Sequence, residues 1–106
     1  MGHEIVFAAY RPRSGREEDL ADLVRRHHPT LLRLGLATTR APVVCRAADG
    51  TVIEVFEWVS AEAAQRAHDV PEVRAIWGPM EECAEFASLS SLSEVKHPFP
   101  HFTPVA

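Results

Sequence analysis

The stretch EWVSAEAAQRAHDVPEVRAIW, residues 57–77, decides the fold class. Its first two residues close an apolar strand, and Ser60 then offers a side-chain oxygen of the kind that caps the first amides of a helix. Ala64 and His68 follow four residues apart, and apolar side chains continue at helical spacing to Trp77. The stretch therefore predicts a strand that passes directly into a helix.

Residues 38–60 predict a β-hairpin that leads into this helix. Asp49-Gly50 suits a two-residue turn, whose central residues need positive φ. One face of the sheet would then carry Val43, Cys45, Glu54, Phe56 and Trp58. The other face is also largely apolar, so both faces are expected to be covered. For a chain of this size, a second copy of itself is the simplest cover.

The N-terminal third predicts one strand and one long helix. Residues 3–10, HEIVFAAY, are short and apolar, as in a strand. Ser14 followed by Glu17 fits a capping box at the start of a helix over residues 15–34. Pro29 falls inside that helix, but the apolar stripe continues through it, so a kink is expected rather than two helices.

The C-terminal half completes an α+β pattern. A second helical region is expected to bend at Gly78-Pro79, and residues 85–90 predict a weak final strand. The order β-α-β-β-α-β is that of a ferredoxin-like fold, with a four-stranded antiparallel sheet and two helical regions on one face. We expect this domain to span residues 1–93. The Pro- and aromatic-rich residues 94–106 would form an extended arm.

Length and composition fit a single globular domain, while the absence of targeting signals and the two expected free thiols favour the cytoplasm. The chain has 106 residues, of which 46% are hydrophobic and 25% charged, with a formal net charge of -4. The sequence has no basic stripe of the kind that binds nucleic acid, and no apolar run that is long enough to span a membrane. Glu4 and Arg11 come too early for a secretory signal. Cys45 and Cys83 are expected to be free thiols, with a disulfide between them as the alternative.

Two short segments resemble a known family. They are the strand end VFEWVS and the helix start AEAAQRAHDVPEV, residues 55–60 and 61–73. Together they resemble the antibiotic biosynthesis monooxygenase-like group of the dimeric α/β-barrel superfamily. The matching residues are Glu57, Trp58, Ser60, Ala63, His68 and Pro71. The resemblance in element order covers about residues 3–92.

The resemblance implies a homodimer in which two four-stranded sheets face each other in a barrel, with the helices outside. It also implies a pocket between the sheet and the helices of each subunit. Relatives include enzymes that oxidise small aromatic or polyketide-like compounds without a cofactor, which is the function expected here. Other relatives have no known activity, so the alternative is a non-catalytic ligand-binding or stress-related homodimer.

The chain departs from one branch of that family. Haem-degrading relatives use an asparagine on the first strand, and a tryptophan and a histidine on the second helix. The chain contains no asparagine, and the histidine position falls near Trp77. Haem degradation of that kind is therefore not expected.

His68 and Glu54 are the candidate catalytic residues. His68 lies on the helix side that carries Ala64, so it is expected to face the sheet and act as a general base. The alternative is a half-buried histidine bonded to a backbone or carboxylate group. Glu54 needs a partner on its apolar face, such as Arg40 or a histidine. It would serve as a pocket acid or base, or as an ion pair or dimer contact.

Six further residues would form the binding wall of such a pocket. They are Tyr10, His27, Phe56, Trp58, Trp77 and Met80. Flat rings of this kind suit a small aromatic ligand, with plain core packing as the alternative. His28 points about 100° away from His27 in a regular helix, so the two do not form a chelating pair. We expect no metal and no cofactor, and we expect His28 to face solvent.

Overall fold

The structure, a computed structural model that describes residues 2–105, contains five strands and three α-helices within that range. In chain order the elements are β1 (Glu4–Pro12), α1 (Glu17–Arg33), β2 (Val43–Arg46), β3 (Val52–Trp58), α2 (Ala61–Ala67), α3 (Pro71–Cys83), β4 (Ala84–Ala87) and β5 (Thr103–Pro104). Two short 3-10 turns, Leu89–Ser91 and Ser93–Lys96, lie between β4 and β5. Met1 and Ala106, the outermost residues of the predicted domain and arm, lie outside the described residues.

All neighbouring strands of the sheet are antiparallel, in the order β4-β1-β3-β2-β5. The first four strands in this order are compatible with the ferredoxin-like arrangement expected from the sequence. The predicted count of four strands is wrong, because the end of the chain adds β5 beside β2, with Thr103 opposite Arg46 and Pro104 opposite Cys45. Proline tolerates this place because an outer strand needs hydrogen bonds on one side only.

The hairpin turn differs from the prediction by one residue. The amide of Ala47 donates to the carbonyl of Thr51 at 2.8 Å, so three residues form the loop, and Gly50 adopts a φ of 93° at its end. Val44, rather than Cys45, therefore lies opposite Glu54. A shift of one residue turns each side chain to the other face of a sheet. Val43 and Cys45 consequently lie on the face that the helices do not cover.

The start of α1 also differs from the prediction. Its N-cap residue is Arg16, which makes no side-chain cap, so the capping box predicted for Ser14 and Glu17 does not form. Three acidic residues in the first turn favour the positive end of the helix instead. The helix continues through Pro29 as one element, as the sequence predicted.

The second helical region is divided at a different place from the one predicted. The Ser60 cap is confirmed, because its hydroxyl accepts a hydrogen bond from the amide of Ala63 at 3.0 Å. The break comes after Ala67, where Pro71 starts α3, while Pro79 lies inside that helix. The residue before a proline disfavours the helical region, and Val70 is accordingly extended, so a new helix starts here. Residues 2–105 therefore contain three α-helices rather than two helical regions.

The two faces of the sheet have different covers. Helices α1 and α3 pack on the face that carries Tyr10, Glu54 and Phe56. The turns after β4 cover part of the other face, where Leu92 packs fully buried against Ile53. No helix among residues 2–105 combines the length and the apolarity that a bilayer span requires.

Replacing Gly50 by alanine tests the three-residue turn. At a φ of 93° the new Cβ meets no atom within 4 Å, so any cost is backbone strain alone. We expect Gly50→Ala to lower the free energy of unfolding in urea by about 1–2 kcal/mol. Gly78→Ala is the matched control, since Gly78 is helical and its Cβ also meets open space. The control is expected to leave stability unchanged or to raise it by up to about 1 kcal/mol; equal effects of the two changes would contradict the turn.

Candidate functional site

A chain of three hydrogen bonds crosses the space between the sheet and the helices and joins Tyr10, Glu54, His27 and Trp77 in that order. The Tyr10 hydroxyl donates to Oε1 of Glu54 at 2.8 Å. Nδ1 of His27 lies 2.8 Å from the same oxygen. The indole nitrogen of Trp77 donates to Nε2 of His27 at 2.9 Å. A strand pair and two helices are thereby joined through polar side chains.

The strand register places Glu54 in the middle of the sheet. It lies opposite Ala8 on β1 and Val44 on β2, and its side chain is fully buried. Tyr10 points to the same face because it is two residues beyond Ala8 on β1. His27 belongs to the buried stripe of α1, which packs on this face. Of the two partners expected for Glu54, Arg40 or a histidine, the structure has a histidine, His27, whereas Arg40 pairs with Glu57 at 3.2 Å.

The bond from Trp77 fixes the tautomer of His27. An indole N–H can only donate, so Nε2 of His27 must be the unprotonated nitrogen of the ring. Nδ1 then carries the hydrogen and donates it to Glu54. His27 is therefore neutral in this arrangement, and both of its ring nitrogens are occupied.

The environment of Tyr10 disfavours ionisation of its phenol. Burial is the largest cause that raises its pKa well above the usual 10.0, followed by the charge of Glu54 and by the hydrogen bond to Glu54. A phenolate here would lose its hydration and would face a carboxylate at hydrogen-bond distance. Tyr10 consequently acts as a hydrogen-bond donor over the whole neutral range.

An apolar cavity of about 320 Å³ lies beside this chain and is here named the aromatic cavity. Its walls include seven of the eight residues singled out from the sequence, namely Tyr10, His27, Phe56, Trp58, His68, Trp77 and Met80. Phe86 on β4 completes the wall, with its ring 5.7 Å from that of Tyr10. The sequence places Phe86 in a strand, but only the pairing of β4 with β1 shows that it shares a face with Tyr10.

Glu54 does not line the aromatic cavity. It lines a second cavity of about 330 Å³, which is bounded mainly by α1, β2 and β3. The bonds from Tyr10 and His27 to Glu54 therefore connect the wall of one cavity to the wall of the other. The second cavity was not predicted from the sequence, because its existence depends on the distance between α1 and β2.

His68 differs in position from the prediction. It ends α2 as the C-cap residue and is exposed, rather than facing the sheet from within a helix. Its ring packs edge-on at 5.0 Å from that of Trp77, which places it at the rim of the aromatic cavity. Nδ1 lies 3.3 Å from the carbonyl oxygen of Gln65. Since a carbonyl only accepts, Nδ1 carries the hydrogen, and Nε2 is left as the basic nitrogen.

His28 is buried, which contradicts the prediction that it faces solvent. Its Nε2 lies 3.1 Å from the carbonyl oxygen of Thr38, so the segment after α1 covers this side of the helix. His27 and His28 lie on the walls of different cavities. Within residues 2–105 no cluster of three His, Cys, Asp or Glu side chains has the arrangement of a metal site.

A comparison of the chain with protein-family models and with curated proteins found no match. The chemistry of the site therefore has to be inferred from its residues and their geometry.

Replacing Tyr10 by phenylalanine tests the hydrogen-bonded chain. The change leaves Oε1 of Glu54 with one donor instead of two, so we expect the free energy of unfolding to fall by about 1.5–3 kcal/mol at neutral pH. Tyr10 is the only tyrosine of the chain, so phenolate absorbance reports on it alone. We expect that absorbance to appear only at a pH well above 10 in the folded protein, and near 10 in urea.

The sign of the pH effect follows from the raised pKa of Tyr10. Between the unfolded and the folded pKa, the folded state retains a proton that the unfolded state has lost, so the wild type loses stability as the pH rises above about 10. The Tyr10→Phe variant lacks this contribution, and its deficit is expected to shrink there. A native phenol that titrates at its usual pH would contradict the buried bond to Glu54.

Proposed function

We propose that the protein is a cofactor-independent, monooxygenase-like enzyme that acts on a small hydroxylated aromatic compound in the aromatic cavity. The observation that carries this proposal is a ring-lined cavity with a histidine at its rim whose Nε2 is free to take a proton. Flat apolar walls select a flat apolar ligand, and a single basic group at the edge orients its hydroxyl. The volume of about 320 Å³ is at the small end for ligand pockets and suits one or two fused rings.

His68 is the general base in this proposal. It takes the phenolic proton of the ligand on Nε2, while its Nδ1 hydrogen stays on the carbonyl of Gln65. Trp77 packs against the ring of His68 and holds it at the rim. The resulting phenolate is electron-rich, and molecular oxygen accepts electrons from it.

Oxygen then reacts with the ring carbon of the bound phenolate. With a dihydroxybenzene as substrate, one atom of O2 becomes bonded to a ring carbon, and the other leaves as water with two hydrogens of the substrate. The product is a hydroxyquinone, and the substrate itself supplies every electron. No external reductant is therefore needed for this reaction.

Glu54 and His27 have a positioning role in this proposal. Both nitrogens of His27 are occupied, so it is not available as a base without breaking a bond. Glu54 holds Tyr10 and His27 in place on the wall of the aromatic cavity. A wall fixed in this way keeps the ligand in a single orientation relative to His68.

The ferredoxin-like fold and membership of the antibiotic biosynthesis monooxygenase-like group are part of the same proposal. The strand order β4-β1-β3-β2 supports them, as does the strand-to-helix segment around Ser60. Cytoplasmic location is supported by the two cysteines, which are free thiols, as is usual in a reducing compartment.

A homodimer through the second face of the sheet completes the proposal. Three large apolar side chains are exposed there, with exposed fractions of 47% for Ile5, 57% for Phe7 and 60% for Val43. Phe7 and Val43 both pair with Val55, so they form one row across β1, β3 and β2. Contiguous apolar patches of this kind mark contact surfaces, and a second copy supplies a patch that matches itself.

A charge placed in this row tests the dimer. We expect wild-type protein to show twice the chain mass of 11.8 kDa in native mass spectrometry. Phe7→Glu and Val43→Glu are expected to shift it to the monomer, because an interface cannot bury an unpaired carboxylate. Phe99→Glu is the control, since Phe99 is 86% exposed and lies in the C-terminal segment, away from the row. A wild-type monomer would overturn the proposed dimer.

Replacing His68 by alanine tests the proposed base. With hydroquinone in air, we expect His68→Ala to lower the rate of oxygen uptake about 100-fold or more, which is the usual contribution of a general base. His101→Ala is the matched control, because His101 is also exposed but lies in the C-terminal segment. An unchanged rate in His68→Ala would rule out this role for His68.

Ligand binding without turnover is the second candidate function. It is favoured by the exposure of His68 and by the occupied nitrogens of His27, since neither residue is a sequestered base. In this case hydroquinone would quench the tryptophan fluorescence of Trp58 and Trp77, which both line the cavity, at a saturable site, while no oxygen is consumed. Oxygen uptake that depends on His68 excludes this candidate.

A further inference from the structure

We propose that the second cavity is a separate binding site for a small primary amine in its protonated form, with the ammonium group on Oε2 of Glu54. The cavity has a volume of about 330 Å³, and Glu54 lies on its wall together with Val44 of β2 and Ala21 of α1. This site is distinct from the aromatic cavity and does not depend on the function proposed for it.

Glu54 carries an unsatisfied hydrogen-bond acceptor. Oε1 of Glu54 accepts from both Tyr10 and His27, but Oε2 has no hydrogen-bond partner among residues 2–105, although it is buried. A buried carboxylate oxygen without a partner is costly, because nothing replaces its lost hydration. A ligand that brings a donor to Oε2 recovers this cost on binding.

The groups that donate to Glu54 carry no positive charge. His27 is neutral because Trp77 donates to it, and the Tyr10 hydroxyl is neutral as well. The carboxylate form of Glu54 therefore has two neutral donors and no cation beside it among the described residues. Bonds between an ammonium group and a carboxylate are about twice as strong as bonds between neutral groups. A protonated amine is the donor that neutralises the site and satisfies it at once.

The lining of the second cavity also suits an alkylamine. Apart from Glu54, the walls near β2 and β3 are mainly aliphatic, so they suit an alkyl chain behind the ammonium group. His28 also lines the cavity, and its Nε2 donates to the carbonyl oxygen of Thr38. Glu54 is therefore the group of the inner wall that calls for a ligand that donates hydrogen bonds.

The rim of the cavity carries charges of both signs, but these have less influence on the ligand. Glu17, Arg25 and Arg46 are exposed, and Arg25 lies 3.5 Å from the carboxylate of Asp22. Exposed charges are screened by water and salt, whereas the inner carboxylate is not. Glu54 therefore decides the charge of the bound group.

Three compounds of equal chain length test the chemistry of the site. Hexylamine, which is ionised at neutral pH like a lysine side chain, is titrated into the full chain by calorimetry, beside hexanol and hexanoate. We expect hexylamine to bind at one site per chain, about 10-fold or more tightly than either of the others. Equal binding of hexanol or hexanoate, or no binding of hexylamine, would overturn the proposal.

Two variants locate the site. In Glu54→Gln the amide oxygen keeps Tyr10 and His27, and an NH₂ donor replaces the acceptor Oε2, so hexylamine affinity should fall about 10-fold or more. Ala21→Leu fills the cavity from α1 at a residue that is not part of the hydrogen-bonded chain, and the same loss is expected. Ala75→Leu is the matched control, since Ala75 is an exposed helical alanine that lines neither cavity.

The variant at Ala21 keeps the test decisive even where Glu54→Gln does not fold. If Ala21→Leu binds hexylamine as tightly as the wild type does, the amine occupies another place and the proposal fails. Both variants are assayed by binding alone. The result is therefore independent of whether the aromatic cavity oxidises its ligand.

Discussion

A carboxylate in the middle of the sheet imposes the strongest constraint on this molecule. Glu54 is fully buried on β3, where an unpaired charge or dipole is costly. Its bonds to Tyr10 and His27, and the bond from Trp77 to His27, fix α1 and α3 relative to the sheet at one point. Two apolar clusters lie on either side of this chain, and Trp77 packs against both. The apolar cores supply cohesion, while the polar chain specifies how the layers meet.

Local signals predicted the elements well and the register poorly. The cap at Ser60 and the continuous helix through Pro29 depend on residues close in sequence, and both are present. Asp49-Gly50 fits a two-residue loop and a three-residue loop equally well, because both need a residue with positive φ. The choice between them is made by pairing across the whole sheet. One residue of difference moved Cys45 off the helix face and put Val44 beside Glu54.

The residues of the site were predictable from the sequence, but the hydrogen bonds between them were not. Strand alternation brings Glu54 and Phe56 to one face, and helical spacing brings His27 to the layer above them. Which groups bond to one another depends on the rotation of α1 and on where α3 begins, and neither is a local property. His28 shows the same limit, since its burial comes from the segment around Thr38, which folds back over the helix. Helical periodicity predicts burial on one side of a helix only. In α1 the sheet covers one side and the segment around Thr38 covers another.

The last residues of the chain protect the sheet as well as extend it. Without β5, the strand β2 would present a row of unpaired amides and carbonyls, which is the usual template for aggregation. Thr103 and Pro104 occupy that row, and the amide of Val105 adds a bond of 2.9 Å to the carbonyl of Val44. Pro104 has no amide to offer to a further strand. A truncation before Thr103 would therefore put solubility at risk and would also remove Val105 from the wall of the second cavity, whereas the aromatic cavity would keep all of its lining residues.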